Sequence, residues 1–449
     1  MTDRPSPFRL TAMRAVAGCC CVLAVALLLT ACGSVSQKPF RDWGFEPPAS
    51  EYNGPLFKLS QDYPTHKPPA SELPSFFKID FRKDWRTYMM RVREYCLEGN
   101  TAVEWRVEEN KVRRWYHMPW QDYGVHGREG IHGLTVEAPI QPLQLAPKQT
   151  YSEGEALAIG VYNSFGGYAI GQVWKDHANP DPEFASTQGF PVGTVACKAL
   201  FVRMPPKIIA NQIPYLVNPV EWQAYAPVSE EPAKKDGKRA VQPVTLIQLD
   251  IMIRDERASS GWIFGTFEYN GALRNRNRWK NLVPVGLMWG NDPENTENIP
   301  VMDSAGKFPA VHAVTATPIN PDLKETVINP RSSELPPTHL GWNGRLDGPV
   351  DNPLSSCESC HMTASSPRKP LSPLFVAADE RPKSGTPEWD AWWMQWFQNV
   401  GWKNGVLEKF KNAKYSLDFI LQLDAALQNF IGSKKGTTPE NLIPEHPIP

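Results

Sequence analysis

Two cysteines and a histidine are spaced so that they can act together on one partner. Cys357 and Cys360 are separated by two residues, and His361 follows directly. Two thiols at this spacing can form a disulfide, act as a redox pair, or bind zinc together with two further ligands. They can instead form thioethers with the two vinyl groups on one edge of a haem, while the histidine gives a nitrogen to the iron.

The surrounding sequence favours the haem alternative. A zinc knuckle needs a second Cys or His pair at similar spacing, which the sequence does not contain. A thioredoxin-like pair belongs to a βαβ unit, whereas residues 347–353 are broken by glycine and proline. We therefore predict one covalently bound haem c, attached at Cys357 and Cys360, with His361 as the proximal iron ligand.

The sixth ligand of the iron stays open at this point. If the sixth ligand follows the motif in the chain, Met394 and His446 are the two residues that can serve, and Met394 is the first choice. His132 and His126 flank a glycine-rich loop and are the alternatives. An iron with no sixth protein ligand is the remaining option.

The N-terminal residues have the pattern of an export signal. Three arginines precede an apolar run over residues 15–29, and residues 29–32 read Leu-Thr-Ala-Cys. The run is shorter than the roughly 20 residues that span a bilayer. The pattern resembles the bacterial lipoprotein signal, which implies cleavage before Cys32, lipidation of that cysteine, and a lipid anchor in the membrane. Gly33, where an aspartate would favour the inner membrane, suggests a place in the cell envelope on the outer membrane, facing the periplasm.

Two further cysteines are left in the exported chain. Cys96 and Cys197 lie 101 positions apart, in a compartment that oxidises exposed thiols. They can form a disulfide, or they can be two separate buried thiols, since cysteine is among the most buried residue types.

The composition indicates a proline-rich, β-rich chain. The 449 residues include 44 prolines, which argues against long helical bundles. We predict a signal peptide over residues 1–31, a tether and extended strap over 32–80, and a β-rich domain over 81–350. Residues 351–449 are predicted to form a haem c-binding segment with two C-terminal helices.

The predicted fold class is mainly β with flanking helices, with an antiparallel β-sandwich-like domain. One helix is expected over residues 83–97. Three hairpins are expected, from residues 102–107 with 112–120, 158–163 with 168–174, and 243–255 with 261–269. Further strands are expected at residues 194–204 and 282–289. The two C-terminal helices are expected over residues 387–400 and 416–430, each ended by a glycine.

The haem motif and the lipoprotein signal together resemble the bacterial c-type cytochromes, specifically the monohaem cytochrome lipoproteins. The likeness covers Cys357, Cys360, His361 and the flanking segment, and it departs from the small class I cytochromes, which have a helix just before the motif. It implies electron transfer in the periplasm with a redox protein as partner. The alternative is a haem enzyme, either peroxidase-like or an oxidoreductase subunit, whose substrate site is formed by the β-rich domain.

The charge balance bears on the choice of partner. Lys and Arg number 47 and Asp and Glu number 48, so there is no cationic excess to neutralise phosphates. Nucleic acid is therefore not expected as a partner.

Overall fold

The computed structural model describes Met1 and residues 39–121, 123, 127–146, 149–228, 238–296, 316–319, 341–352, 355–368, 381–383, 386–411 and 413–435. The chain divides into two units, Met1–Pro39 and Phe40–Pro449. Almost all of the first unit, including the predicted signal and Cys32, lies outside the described residues. All the elements below belong to the second unit.

Strands make up the centre of the second unit. The strands are β1 (Thr135–Ile140), β2 (Gly154–Tyr162), β3 (Val195–Arg203), β4 (Glu221–Pro227), β5 (Arg239–Arg254), β6 (Trp262–Tyr269), β7 (Leu282–Met288), β8 (Ser365–Ser366), β9 (Trp402–Lys403), β10 (Val406–Leu407) and β11 (Tyr415–Ser416).

Helices are short and lie between or after the strands. The α-helices are α1 (Trp85–Leu97), α2 (Ser164–Val173), α3 (Pro182–Thr187), α4 (Pro206–Gln212), α5 (Cys357–His361), α6 (Pro387–Trp393) and α7 (Leu421–Lys435). Single 3-10 turns occur at Ala70–Glu72, Ser75–Lys78, Thr101–Val103, Val107–Glu109, Gly271–Leu273, Arg278–Asn281, Trp342–Gly344 and Met394–Trp396.

The long strands form one antiparallel sheet. Its order is β1-β2-β3-β5-β6-β7, and β4 pairs with the first half of β5. Strand β5 has 16 residues, which lets its first half pair with β4 and its second half pair with β6 along the same edge. Most of the buried apolar side chains of the protein lie on this sheet and on the helices that cover it.

The β-rich prediction is confirmed, but the expected sandwich is not found. In the part of the chain that the structure describes, β1 to β7 all belong to one sheet, and the other strands form two-stranded ladders of two residues each. Helices cover the sheet where a second sheet was expected. Alternating apolar residues show that a strand face is buried, and they do not tell whether a strand or a helix buries it.

Two of the three predicted hairpins are wrong. Residues 102–120 form no hairpin but two 3-10 turns and irregular backbone, and Glu104 and Trp105 have φ values of 48° and 59°, outside the strand region. The Asn110 side chain also accepts hydrogen bonds from the backbone N–H groups of Val112 and Arg113, which competes with strand pairing. The hairpin between β5 and β6 and the strands β3 and β7 are confirmed.

In place of the second strand of the other wrong hairpin, the structure has the helix α2. Gly166 and Gly167 were expected to form the turn of that hairpin, and they serve instead for close packing. A Cβ on Gly167 would meet the ring of Tyr116, and one on Gly166 would meet Thr194 and Tyr162. The Asn163 side chain caps the helix by accepting from the Gly166 backbone N–H at 3.2 Å.

The helix α1 and a disulfide hold one face of the sheet. The side chain of Asp84 caps α1 by accepting from the Thr87 backbone N–H. Cys96 on α1 and Cys197 on β3 form a disulfide, and both residues are fully buried. Met89 on α1 lies close to Gly265 on β6. These contacts place α1 on the face of the sheet that carries Cys197 and Gly265.

The C-terminal helices differ in extent from the expectation. The first ends at Trp393 and continues as a 3-10 turn, so it is shorter than residues 387–400. The second covers Leu421–Lys435 rather than residues 416–430. Asp418 and Phe419 have φ values of 50° and 68°, which a helix cannot contain, so the helix begins only after them.

Candidate functional site

The helix α5 presents the motif residues on a short, well-capped turn. The Ser356 hydroxyl accepts from the Ser359 backbone N–H at 3.1 Å, and the Ser359 hydroxyl accepts from the Ser356 backbone N–H at 2.8 Å. This reciprocal capping satisfies donors that a five-residue helix would otherwise leave unpaired. The Ser356 hydroxyl also donates to Asn291 Oδ1 at 3.0 Å, which ties α5 to the segment after β7.

The two thiols of the motif are separate from one another. Cys357 and Cys360 form no disulfide, and both line the same cavity. Burial raises the pKa of both thiols, that of Cys360 to about 12. Both are therefore neutral thiols, whereas a redox-active dithiol needs a thiolate near neutral pH.

His361 is oriented by a hydrogen bond to the backbone. Its Nδ1 lies 2.7 Å from the carbonyl oxygen of Phe419. A carbonyl can only accept, so Nδ1 carries the hydrogen and Nε2 keeps its lone pair. Burial lowers the pKa of His361 to about 4, which keeps the ring neutral. A metal-binding histidine is held in the same way, with its second nitrogen donating to a carbonyl or carboxylate.

The cavity beside α5 has a volume of about 330 Å³, within the range of about 300–1,000 Å³ typical of ligand pockets. Its walls are one face of the sheet, the segment 347–352, α5 and the start of α7. Gly160 on β2 leaves room for Gln422 on α7, because a Cβ at Gly160 would meet the Gln422 amide.

A polar row of side chains crosses the cavity face of the sheet. Gly160, Lys198, Asp250 and Thr266 are register partners on β2, β3, β5 and β6. Lys198 forms an ion pair with Glu137 at 2.7 Å. Lysine and aspartate are rarely buried in a sheet unless they are paired, so these side chains mark this part of the cavity floor as a polar site rather than a part of the apolar core.

The next row of register partners on the same face of the sheet is apolar and contains the thioether of a methionine. Tyr162, Ala196, Met252 and Phe264 are register partners on the same four strands, and all four line the cavity. The Phe264 ring lies 5.0 Å from the His361 ring, measured between centroids. His361 and the Met252 side chain therefore border the same cavity.

The residues of this site fit a covalently bound haem. Two unbonded thiols on one helical turn open onto a cavity of ligand size, together with an imidazole whose Nδ1 is already bonded. Cys357 and Cys360 would hold the haem edge, and His361 Nε2 would hold the iron. In the described part of the chain, no group of three or more His, Cys, Asp or Glu residues is arranged to hold a metal ion directly.

The other predicted iron ligands are placed away from this cavity or lie outside the described residues. His132 stacks on Trp222 with ring centroids 4.3 Å apart, and its Nδ1 bonds the Gln223 carbonyl at 2.9 Å. Met394 begins a 3-10 turn and is not among the residues that line the cavity. His126 lies outside the described residues.

Met252 and Asp250 are cavity residues that the sequence interpretation missed. The signal for Asp250 was available, because it is an acidic residue inside the apolar run of β5, and a charge at such a position indicates a polar site. Met252 gave no signal of its own, since a methionine in an apolar strand is most simply explained by packing.

Comparisons with protein-family models, with curated protein sequences and with solved structures find no match to this chain. Among the helices of the described residues, none is long and apolar enough to cross a membrane.

The buried Glu358 gives a stability prediction. Burial raises the pKa of this residue to about 8, against 4.5 for an unperturbed glutamate, and the Ser260 side chain partly opposes the effect. A raised carboxyl pKa in the folded state means that the free energy of unfolding falls as pH rises from about 4.5 to about 8. Glu358→Gln should remove this loss, with on the order of 1.4 kcal/mol for each unit of the pKa difference.

The measurement is urea unfolding of the full chain at the two ends of that pH range. We expect the variant to be the more stable protein at the high end and to match the wild type at the low end. Glu221→Gln, at an exposed position on β4, is the matched control and should show no such difference. Equal pH dependence in wild type and Glu358→Gln would contradict the prediction.

Proposed function

We propose that this protein is a lipid-anchored c-type cytochrome of the cell envelope that carries one haem c and transfers electrons in the periplasm. The observation that supports this most is the meeting of Cys357, Cys360 and His361 at one cavity, with His361 Nδ1 held by the Phe419 carbonyl. This arrangement leaves Nε2 as the nitrogen that can bind iron.

The chain's own residues have three tasks in this proposal. The two cysteines fix the haem edge by covalent bonds, and His361 holds the iron in one orientation. The face of the sheet and α7 keep water from one side of the group, which influences its potential. The bound haem supplies one-electron exchange. A redox protein is the expected partner, because the sequence contains no second cofactor motif.

The state of the sixth ligand decides between a carrier and an enzyme. For a carrier we expect a six-coordinate, low-spin ferric spectrum with the weak near-infrared band of sulfur-to-iron charge transfer. Met252→Ala and Met394→Ala form a matched pair of variants for this band. Loss only in Met252→Ala supports ligation from the cavity wall, and loss only in Met394→Ala supports the ligand first chosen from the sequence.

The variant that loses the band should bind carbon monoxide readily when reduced, and its potential should fall, because a thioether favours ferrous iron. The wild type should bind external ligands slowly. A high-spin ferric wild type with fast cyanide binding would overturn the carrier proposal.

A haem enzyme is the second function, and the polar row of the cavity favours it. Asp250 on this row lies beside Asp351, and carboxyl groups near a haem can act as general acids or bases on a bound substrate. In that case the same spectra should show an open iron site, and peroxide should be consumed with turnover.

The anchor is tested at Cys32. Cys32→Ser should remove the lipid, since a serine offers no thiol for the thioether, and the protein should move from the membrane fraction to the soluble fraction or remain uncleaved. Mass spectrometry of the mature N-terminus is the measurement. A wild-type N-terminus at any other residue would contradict the proposed lipidation.

A further inference from the structure

Three aspartates beside the motif are gathered in a way that the binding of haem does not require. Gln248 Nε2 donates to Asp250 Oδ1 and to Asp351 Oδ2, both at 2.8 Å, so one amide group joins the two carboxyls. Gly348 makes this approach feasible, because a Cβ there would meet both the Gln248 amide and Asp351. We call Asp250, Asp351 and Asp347 the carboxyl cluster; all three line the cavity.

Asp347 provides independent evidence that the carboxyl cluster binds a further species, because one of its carboxylate oxygens is buried and unpaired within the described ranges. It is 2% exposed, and its Oδ2 has no hydrogen-bond partner among the residues that the structure describes. An ionised carboxylate oxygen that is buried without a donor is strongly unfavourable. A proton is the smallest species that removes this cost, because it turns the oxygen into a neutral hydroxyl.

The charged groups around the cluster do not neutralise it. Lys198 on β3 is the nearest cation, and it already pairs with Glu137 on β1. The other titratable groups that face the cavity are Arg368, which pairs with Asp424, and the neutral side chains of Cys357, Cys360, His361, Tyr123 and Tyr162. Asp250, Asp347, Asp351 and Glu137 therefore face two cations, and the two carboxylates of a haem would add further negative charge.

We propose that the carboxyl cluster binds one proton when the adjacent haem accepts an electron and releases it on oxidation, so that this protein moves a proton with each electron. This inference rests on the proposed function. Asp250 is linked to the attachment point by Thr266, whose hydroxyl donates to Asp250 Oδ1 at 3.0 Å and also contacts the Cys357 thiol. The cluster is thus one side chain away from the haem edge.

The step balances with one electron and one proton. A one-electron redox partner supplies the electron, and the solvent supplies the proton, which forms an O–H bond with a carboxylate oxygen of the cluster. Oxidation returns the electron to an acceptor and the proton to the solvent. The net charge of the cavity is the same before and after reduction, because the proton offsets the charge of the electron. An uncompensated charge is costly in a site of low dielectric, and this cost couples proton binding to reduction.

The electrostatics set the direction of the pH dependence. Burial raises the pKa of Asp347 and of Asp351, and for Asp347 the neighbouring Asp351 adds to the effect. An added electron makes proton binding still more favourable, so the reduced state holds the proton to higher pH than the oxidised state. The reduction potential should therefore fall as pH rises between the two pKa values.

The experiment is a mediated spectroelectrochemical titration of the holoprotein from about pH 5 to about pH 9. In the wild type we expect a pH window in which the potential falls by about 59 mV for each tenfold fall in proton concentration. Asp351→Asn should abolish this slope, and Asp347→Asn should do the same if the first variant folds poorly. Glu155→Gln is the matched control, because Glu155 is a buried, ion-paired carboxylate on β2 that does not line the cavity.

The outcomes separate this inference from the proposed function. A wild-type potential that is independent of pH, or an unchanged slope in both aspartate variants, would overturn the inference while the protein remains a cytochrome. A chain that binds no haem would overturn the proposed function. Infrared difference spectra of the full chain then still test the site. At neutral pH the C=O intensity of protonated carboxyls should fall in Asp351→Asn while the contribution of Glu358 remains, and equal intensity in wild type and variant would reject the cluster as a proton site.

Discussion

Replacement of both Cys357 and Cys360 by alanine is expected to remove all covalently held haem from this protein. The thiols are unbonded and line the same cavity as His361, so they are the groups that can form the two thioethers. Wild type produced in cells with the cytochrome c maturation machinery should keep its haem on a denaturing gel and after acid–acetone extraction. The double variant should lose haem in both tests, and Cys360→Ala alone should weaken attachment.

Two controls make this result specific. Glu358→Gln changes a side chain within the same helix and should keep the haem on the gel. His361→Ala should also keep covalent haem, but its spectrum should change because the proximal nitrogen is lost. Release of haem from the wild type by acid–acetone would refute covalent attachment, and the proposed function would fail with it.

Removal of the Cys96–Cys197 disulfide is expected to have the second largest effect, on stability. The bond joins α1 to β3 across a sequence separation of 101 residues. In the chain-entropy model, closing a loop of this length stabilises the folded state by roughly 4–5 kcal/mol. The variant with both residues changed to alanine should lose about that much free energy of unfolding, measured by guanidinium denaturation.

The control is the same denaturation with a reductant present. The reductant should lower the midpoint of the wild type after one cycle of unfolding and refolding, and it should leave the double alanine variant unchanged. Both cysteines are fully buried, so reduction before unfolding should be slow. A wild-type midpoint that does not respond to reductant would contradict a disulfide in this protein.

The regular elements that could be predicted were those with strong local signals. The periodic residues of α1 and the alternation in β3, β5, β6 and β7 indicated the right structures at nearly the right positions. The two false hairpins came from residues whose local preference is ambiguous. Gly166 and Gly167 resemble a turn in sequence, but they lie in a helix because neighbouring rings need the space that a Cβ would fill.

The arrangement of the motif could also be predicted from the sequence alone, because the positions of Cys357, Cys360 and His361 relative to one another depend only on one helical turn. What faces them depends on the tertiary structure. Lys198, Asp250 and Met252 reach the cavity through strand register, and Asp351 meets Asp250 through the single amide of Gln248. Register is set by the pairing of strands that are far apart in the chain, so no local pattern can give it. For the same reason Met394, which was chosen by its place after the motif, does not line the cavity that Met252 borders.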